Sequence, residues 1–142
     1  MRSSKIPFRK QMEFEYAEVQ QITPMIRRVV ARNPSKFTFH GTNTYIVGHG
    51  NVAVIDPGPT IKEHLEALKS ALKDDTVEHI LVTHTHNDHS PGAVPLREKF
   101  GGQIWGAHLK EIAGQQRTAE SIDWNFKPDN VLRSGTQIVS DE

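Results

Sequence analysis

Val52-Ala53-Val54-Ile55 is an unbroken apolar run that ends abruptly at Asp56-Pro57-Gly58-Pro59. Two prolines and a glycine cannot continue a helix or a central strand, so a buried strand must stop there. The hydrophobic period then changes. Ile61, Leu65, Leu68 and Leu72 fall on one helical face, and Lys62, Glu66, Lys69 and Lys73 are suited to solvent. Thr60 with Glu63 three residues on predicts a capping box at the start of that helix. Ile80-Leu81-Val82 reads as the next buried strand. Ser90-Pro91 reads as the N-cap and first position of a second helix, which Pro95 would kink and Gly101-Gly102 would stop near Phe100. Gln103-Ile104-Trp105 is a third strand, followed by a short helix over Leu109–Ala113.

Upstream, the segment from Ile22 to Val30 predicts a strand entered after Pro24. Phe37-Thr38-Phe39 predicts a short strand, and Gly48-His49-Gly50-Asn51 a hairpin turn between Tyr45-Ile46-Val47 and Val52–Ile55. Strands first, then alternating strands and helices, imply an α/β (α+β) fold with a mixed sheet covered by helices on one face.

The 142 residues suit one domain, placed at 13–142 behind a basic tail over 1–12 that is expected to be disordered. Lys+Arg and Asp+Glu both number 17, so no overall charge excess points to nucleic acid or an anionic membrane. Arg27-Arg28 leaves RNA phosphate as an alternative partner. Cysteine is absent, which excludes disulfides and thiolate metal sites. No apolar run approaches the roughly 18 residues of a membrane span, and the basic amino terminus lacks an apolar core, so a cytoplasmic location is expected.

The unusual count is eight histidines. Three of them stand in His84-Thr85-His86-Asn87-Asp88-His89, directly after a buried strand. Neutral imidazole and carboxylate are ligands for zinc and similar ions. Residues two apart in an extended segment point the same way, so His84 and His86 can converge on one metal. His89 is out of phase with them and points to a second. Two metals roughly 3.5–4 Å apart can share and deprotonate a water, and Asp88 could ligate and orient the resulting hydroxide. His40, His49, His64 and His79 have no partner at ligand spacing and read as surface or capping residues. Asp56, standing before Pro57, reads as a turn residue.

The hexapeptide matches HxHxDH, and with Gly41-Thr42-Asn43-Thr44-Tyr45, Val54-Ile55-Asp56-Pro57-Gly58 and Ser90-Pro91-Gly92-Ala93 it resembles the metallo-β-lactamase superfamily over about residues 20–110. The likeness is to the β-lactamase-like-2 and glyoxalase-II-like branches. It implies an αββα sandwich of which this sequence resembles the amino-terminal half, apparently truncated before the second. It also implies a metal-dependent hydrolase using two Zn2+, or Mn2+ or Fe, to attack an ester, thioester, amide or phosphodiester of a small-molecule substrate. His84 and His86 would ligate the first metal. Asp88 and His89 would ligate the second, with Asp88 contacting the nucleophile and Asp56 bracing the loop. The family's later ligands have no counterpart here. His108, Asp123, Asp129 and Asp141 stand outside its motifs. Two further readings follow: a catalytically incompetent half-domain that self-associates through an exposed sheet face, and an RNA-processing nuclease of the same superfamily.

Overall fold

In the computed structural model, which describes residues 7, 9–109 and 121–140, seven strands lie side by side in chain order. They are β1 (Gln20–Thr23), β2 (Ile26–Val30), β3 (Asn43–His49), β4 (Asn51–Ile55), β5 (Thr76–Leu81), β6 (Gln103–Gly106) and β7 (Asn130–Val131). The first four are antiparallel neighbours, and β4 through β7 run parallel. Helix α1 (Lys62–Ala71) carries β4 to β5, and α2 (Ala93–Phe100) carries β5 to β6. This is the mixed sheet expected from the sequence.

Register explains why the helices share a face. Ile46, Val54, Ile80 and Ile104 are cross-strand partners in one row, each at most 1% exposed. They form a single core with Leu68 and Leu72 of the first connection and Ala93 and Leu96 of the second. Burying each large aliphatic side chain contributes roughly 1.5–3 kcal/mol. The adjacent row, Tyr45, Ile55, Leu81 and Trp105, alternates to the opposite face and is only half-buried.

Several local expectations are overturned. Helix α1 begins at Lys62 with Ile61 as N-cap and no side-chain cap, so Thr60 lies one residue too early for the capping box. Glu63 instead pairs with Arg32 at 3.2 Å. Core burial sets the helix phase: His64, Leu68 and Leu72 turn inward, and Ile61 and Leu65 stay half-buried. Two buried leucines outweigh a cap worth about 1 kcal/mol. Helix α2 likewise starts after Gly92, and Ser90 caps nothing there. Pro95 thus falls in the first turn, where a missing N–H costs no bond, and it need not kink the helix.

Phe37-Thr38-Phe39 is a turn, not a strand. Ser35 Oγ accepts from the backbone N–H of Phe37 and Thr38 at 3.1 Å, and that local bonding replaces a ladder. A strand precedes Pro24 as well as following it, because Pro24-Met25 closes a hairpin. The two residues of β7 gave no periodic signal. Of the short helix expected over 109–113, residues 110–113 lie outside the described residues.

Candidate metal centre

The site is built where β4 and β5 end side by side. Asp56 follows β4 with φ of 50°, a left-handed conformation that Asp tolerates better than most residues. Its backbone N–H donates to Leu81 O at 2.8 Å, which locks the two strand exits together. Its carboxylate is nearly buried, at 7% residue exposure, and gathers three donors. Thr83 N–H reaches Oδ1 at 2.8 Å; Thr83 Oγ1 and His89 Nδ1 reach Oδ2 at 2.7 and 3.0 Å. Burial works to raise its pKa, but the bonds from His89 and Thr83 prevail and hold it below the ordinary carboxylate value.

The hexapeptide folds back onto this carboxylate. His89 N–H donates to His86 O at 2.9 Å, and Gly58 N–H to His89 O at 2.8 Å. The turn brings the His89 ring to 4.0 Å, centroid to centroid, from His84, which lies 4.8 Å from His86. Sequence spacing sets His89 apart from His84 and His86, and the superfamily resemblance places Asp88 with His89. The structure instead gives two overlapping sets with His84 in common. Donor atoms of His84, His86 and Asp88 lie within 4.8 Å of one another, as do those of Asp56, His84 and His89. His89 Nε2 stands 3.3 Å from Asp88 Oδ2, so the two sets touch there as well as sharing His84. His108 belongs to neither set; it lines a separate pocket with Trp124 and Phe126.

Electrostatics divides the imidazoles. Burial, then the neighbouring His89 and His86 rings, lowers the pKa of His84 and favours its neutral, ligand-competent form. For His89, burial also pulls downward, but the bond and charge of Asp56 and the charge of Asp88 together raise it. The cleft over these residues, about 520 Å³, is walled by Asn33, Ser35, Phe37, Thr38, Asn87 and Ser121, with no Lys or Arg among the described residues of its lining. Three imidazoles and two carboxylates, a donor set of borderline nitrogen and hard oxygen ligands, fit a divalent metal.

Sequence reasoning missed several supports. Thr83 contacts both Asp56 and His84. Asp123, 33 positions from Ser90, accepts its hydroxyl at 2.7 Å, and its backbone N–H donates to Thr85 O at 2.8 Å. His86 bridges Ile122, and Asn87 N–H donates to Ser121 O at 2.8 Å. Thr83 could have been suspected from its place between strand and hexapeptide. Nothing local marks Asp123.

His64 is not a surface residue; it is 1% exposed. Its Nε2 sits 3.1 Å from Pro57 O and 3.0 Å from Thr44 Oγ1, and it buttresses the Asp56–Gly58 turn from behind. Its Nδ1 is buried without a partner among the described residues. Burial therefore depresses its pKa below 6.5. In metal-free protein, both folded and unfolded chains hold this residue neutral above that pH. As pH falls below 6.5, the unfolded chain takes up a proton that the folded chain resists, so the contribution is lost until the lower folded pKa is passed. His64→Gln is expected to flatten this acid-side decline in urea midpoints. A decline as steep as in the parent would contradict the assignment.

The profile of the Metallo-beta-lactamase superfamily matches residues 37–141, and the chain belongs to that superfamily. An atrochrysone carboxyl ACP thioesterase of Aspergillus novofumigatus is 45% identical over 154 aligned positions, covering 85% of this chain and 48% of that protein. A second, of Pseudocercospora fijiensis, is 42% identical, covering 87% and 47%. Among solved structures, a metallo-β-lactamase of Cronobacter sakazakii superposes with a TM-score of 0.65 at 16% identity, covering 87% of this chain and 50% of that one. BJP-1 of Bradyrhizobium japonicum gives 0.63 at 16%, covering 87% and 48%. These structural likenesses show the fold. The chain spans about half the length of these relatives, and an 82-residue match to a thioesterase of Aspergillus terreus covers 26% of that protein. Among the described residues, no helix is long and apolar enough to cross a membrane.

Proposed function

We propose that this chain carries the metal-binding part of a hydrolase centre that cleaves the thioester between an acyl group and a carrier protein. One observation carries the hydrolase reading: His84, His86, Asp88, His89 and Asp56 converge at the strand exits, beneath an open cleft. The thioester is favoured over an ester, amide or phosphodiester because relatives at 42–45% identity are named as carrier-protein thioesterases.

Divalent metal bound there, Zn2+ above all, supplies Lewis acidity that lowers the pKa of water and polarises a carbonyl. His84, His86, Asp88 and His89 would hold it. Asp56 occupies His89 Nδ1, which leaves Nε2 as the ligating atom. Asp88 borders the cleft, where its carboxylate can accept a hydrogen bond from the attacking water and orient it. Phe37 stands 86% exposed on a turn tied by Ser35 and Thr38, and offers apolar surface to the acyl group.

The test is thiol release from an acyl-pantetheine thioester by zinc-loaded protein. Turnover should exceed a zinc-only blank and vanish on chelation. Phe37→Ala should raise KM about five- to thirtyfold, the equivalent of 1–2 kcal/mol of lost apolar contact, with kcat little changed. Thiol release no faster than the blank would remove the thioesterase assignment.

A further inference from the structure

Asp56 touches His89 directly but reaches His84 only through Thr83. Its Oδ2 receives Thr83 Oγ1 at 2.7 Å and His89 Nδ1 at 3.0 Å, and Thr83 Oγ1 also lies 3.0 Å from His84 Nδ1. A carboxylate only accepts, so the single hydroxyl proton of Thr83 is committed to Asp56. The hydroxyl oxygen is then an acceptor, and His84 Nδ1 must carry the hydrogen. We propose that Thr83 is a positioning residue that passes the hold of Asp56 on to His84, so that one carboxylate makes Nε2 the lone-pair atom of both imidazoles.

The inference rests on the metal-site reading, not on the thioester. Without a partner at Nδ1, an imidazole in water favours the opposite tautomer, with its hydrogen on Nε2 where a metal would bind. The backbone N–H of Thr83, which donates to Asp56 Oδ1 at 2.8 Å, is unaffected by changing the side chain. The two roles of the residue can therefore be separated.

The experiment is long-range 1H–15N correlation NMR on the full, metal-free chain, at a pH where the imidazoles are neutral. His84 and His89 should both carry hydrogen on Nδ1. In Thr83→Val, His84 should shift toward the Nε2–H form while His89, held directly by Asp56, stays unchanged. Zinc affinity, read by competition with a chromophoric chelator, should fall about 10–100-fold. Thr83→Ser should restore both readouts. His84 found as Nε2–H in the parent protein would overturn the proposal. So would a Val variant with parental tautomer and affinity, or a Ser variant that behaves like Val. If Thr83→Val fails to fold, the parental tautomer and the Ser variant decide. Loss of thioester hydrolysis has no bearing on these readouts, so the two readings fail separately.

Discussion

His86→Ala is expected to abolish measurable zinc binding, whereas His49→Ala leaves it unchanged. His86 shares the His84–Asp88 donor set, and its backbone is fixed by the bridge to Ile122. Its removal leaves that set with one imidazole and one carboxylate. The loss should exceed the about 10–100-fold typical of removing a residue that merely orients a ligand. His49 is exposed at the hairpin between β3 and β4, and its ring bonds to Pro24 O, far along the strands from the site. His64 would be a poor control despite lacking ligand spacing, because its removal opens a cavity behind the Asp56–Gly58 turn. Isothermal titration of both variants decides the matter. Equal stoichiometry and affinity would show that the hexapeptide is not the metal site.

The second large effect concerns folding. Gly41→Ala should destabilise the chain by about 4 kcal/mol, a large share of the total stability of a small domain. Gly41 has φ of 145°, and a Cβ there would stand 1.9 Å from Ala31 O. That oxygen is backbone at the end of β2 and accepts from Asn33 N–H at 2.9 Å, so it cannot swing aside as a side chain would. Gly50→Ala is the matched comparison. Its φ of 74° is also positive, but a Cβ there meets nothing within 4 Å. It should cost only the backbone term, about 1 kcal/mol. Urea midpoints of the two variants isolate the clash. Near-equal midpoints would show that the Gly41 corner can relax.

The sheet and helix sequence was legible because both are local. Apolar runs such as Val52–Ile55 and Ile80–Val82 can satisfy burial only as strands, and Asp56-Pro57-Gly58-Pro59 can only end one. The misreadings share a cause. Thr60, Ser90 and Phe37–Phe39 carry good local signals for caps or a strand, but each met a stronger competitor: the core face of α1, the distant carboxylate of Asp123, and the local bonds of the Ser35 turn.

The site divides in the same way. Three imidazoles and a carboxylate within six residues announce metal chemistry, since few other uses concentrate those donors. Alternation along an extended chain assigned His89 elsewhere, because it assumes the chain stays straight. It bends at once, as His89 N–H closes onto His86 O, and the ring turns back beside His84. The sequence by itself determined which donor atoms are present and at which strand's exit. Only tertiary structure decided how they are aimed, because the carboxylate of Asp56, 33 residues from His89 and at another strand's exit, holds the His89 ring directly and Thr83 at the same time, and such contacts exist only after the chain has closed on itself.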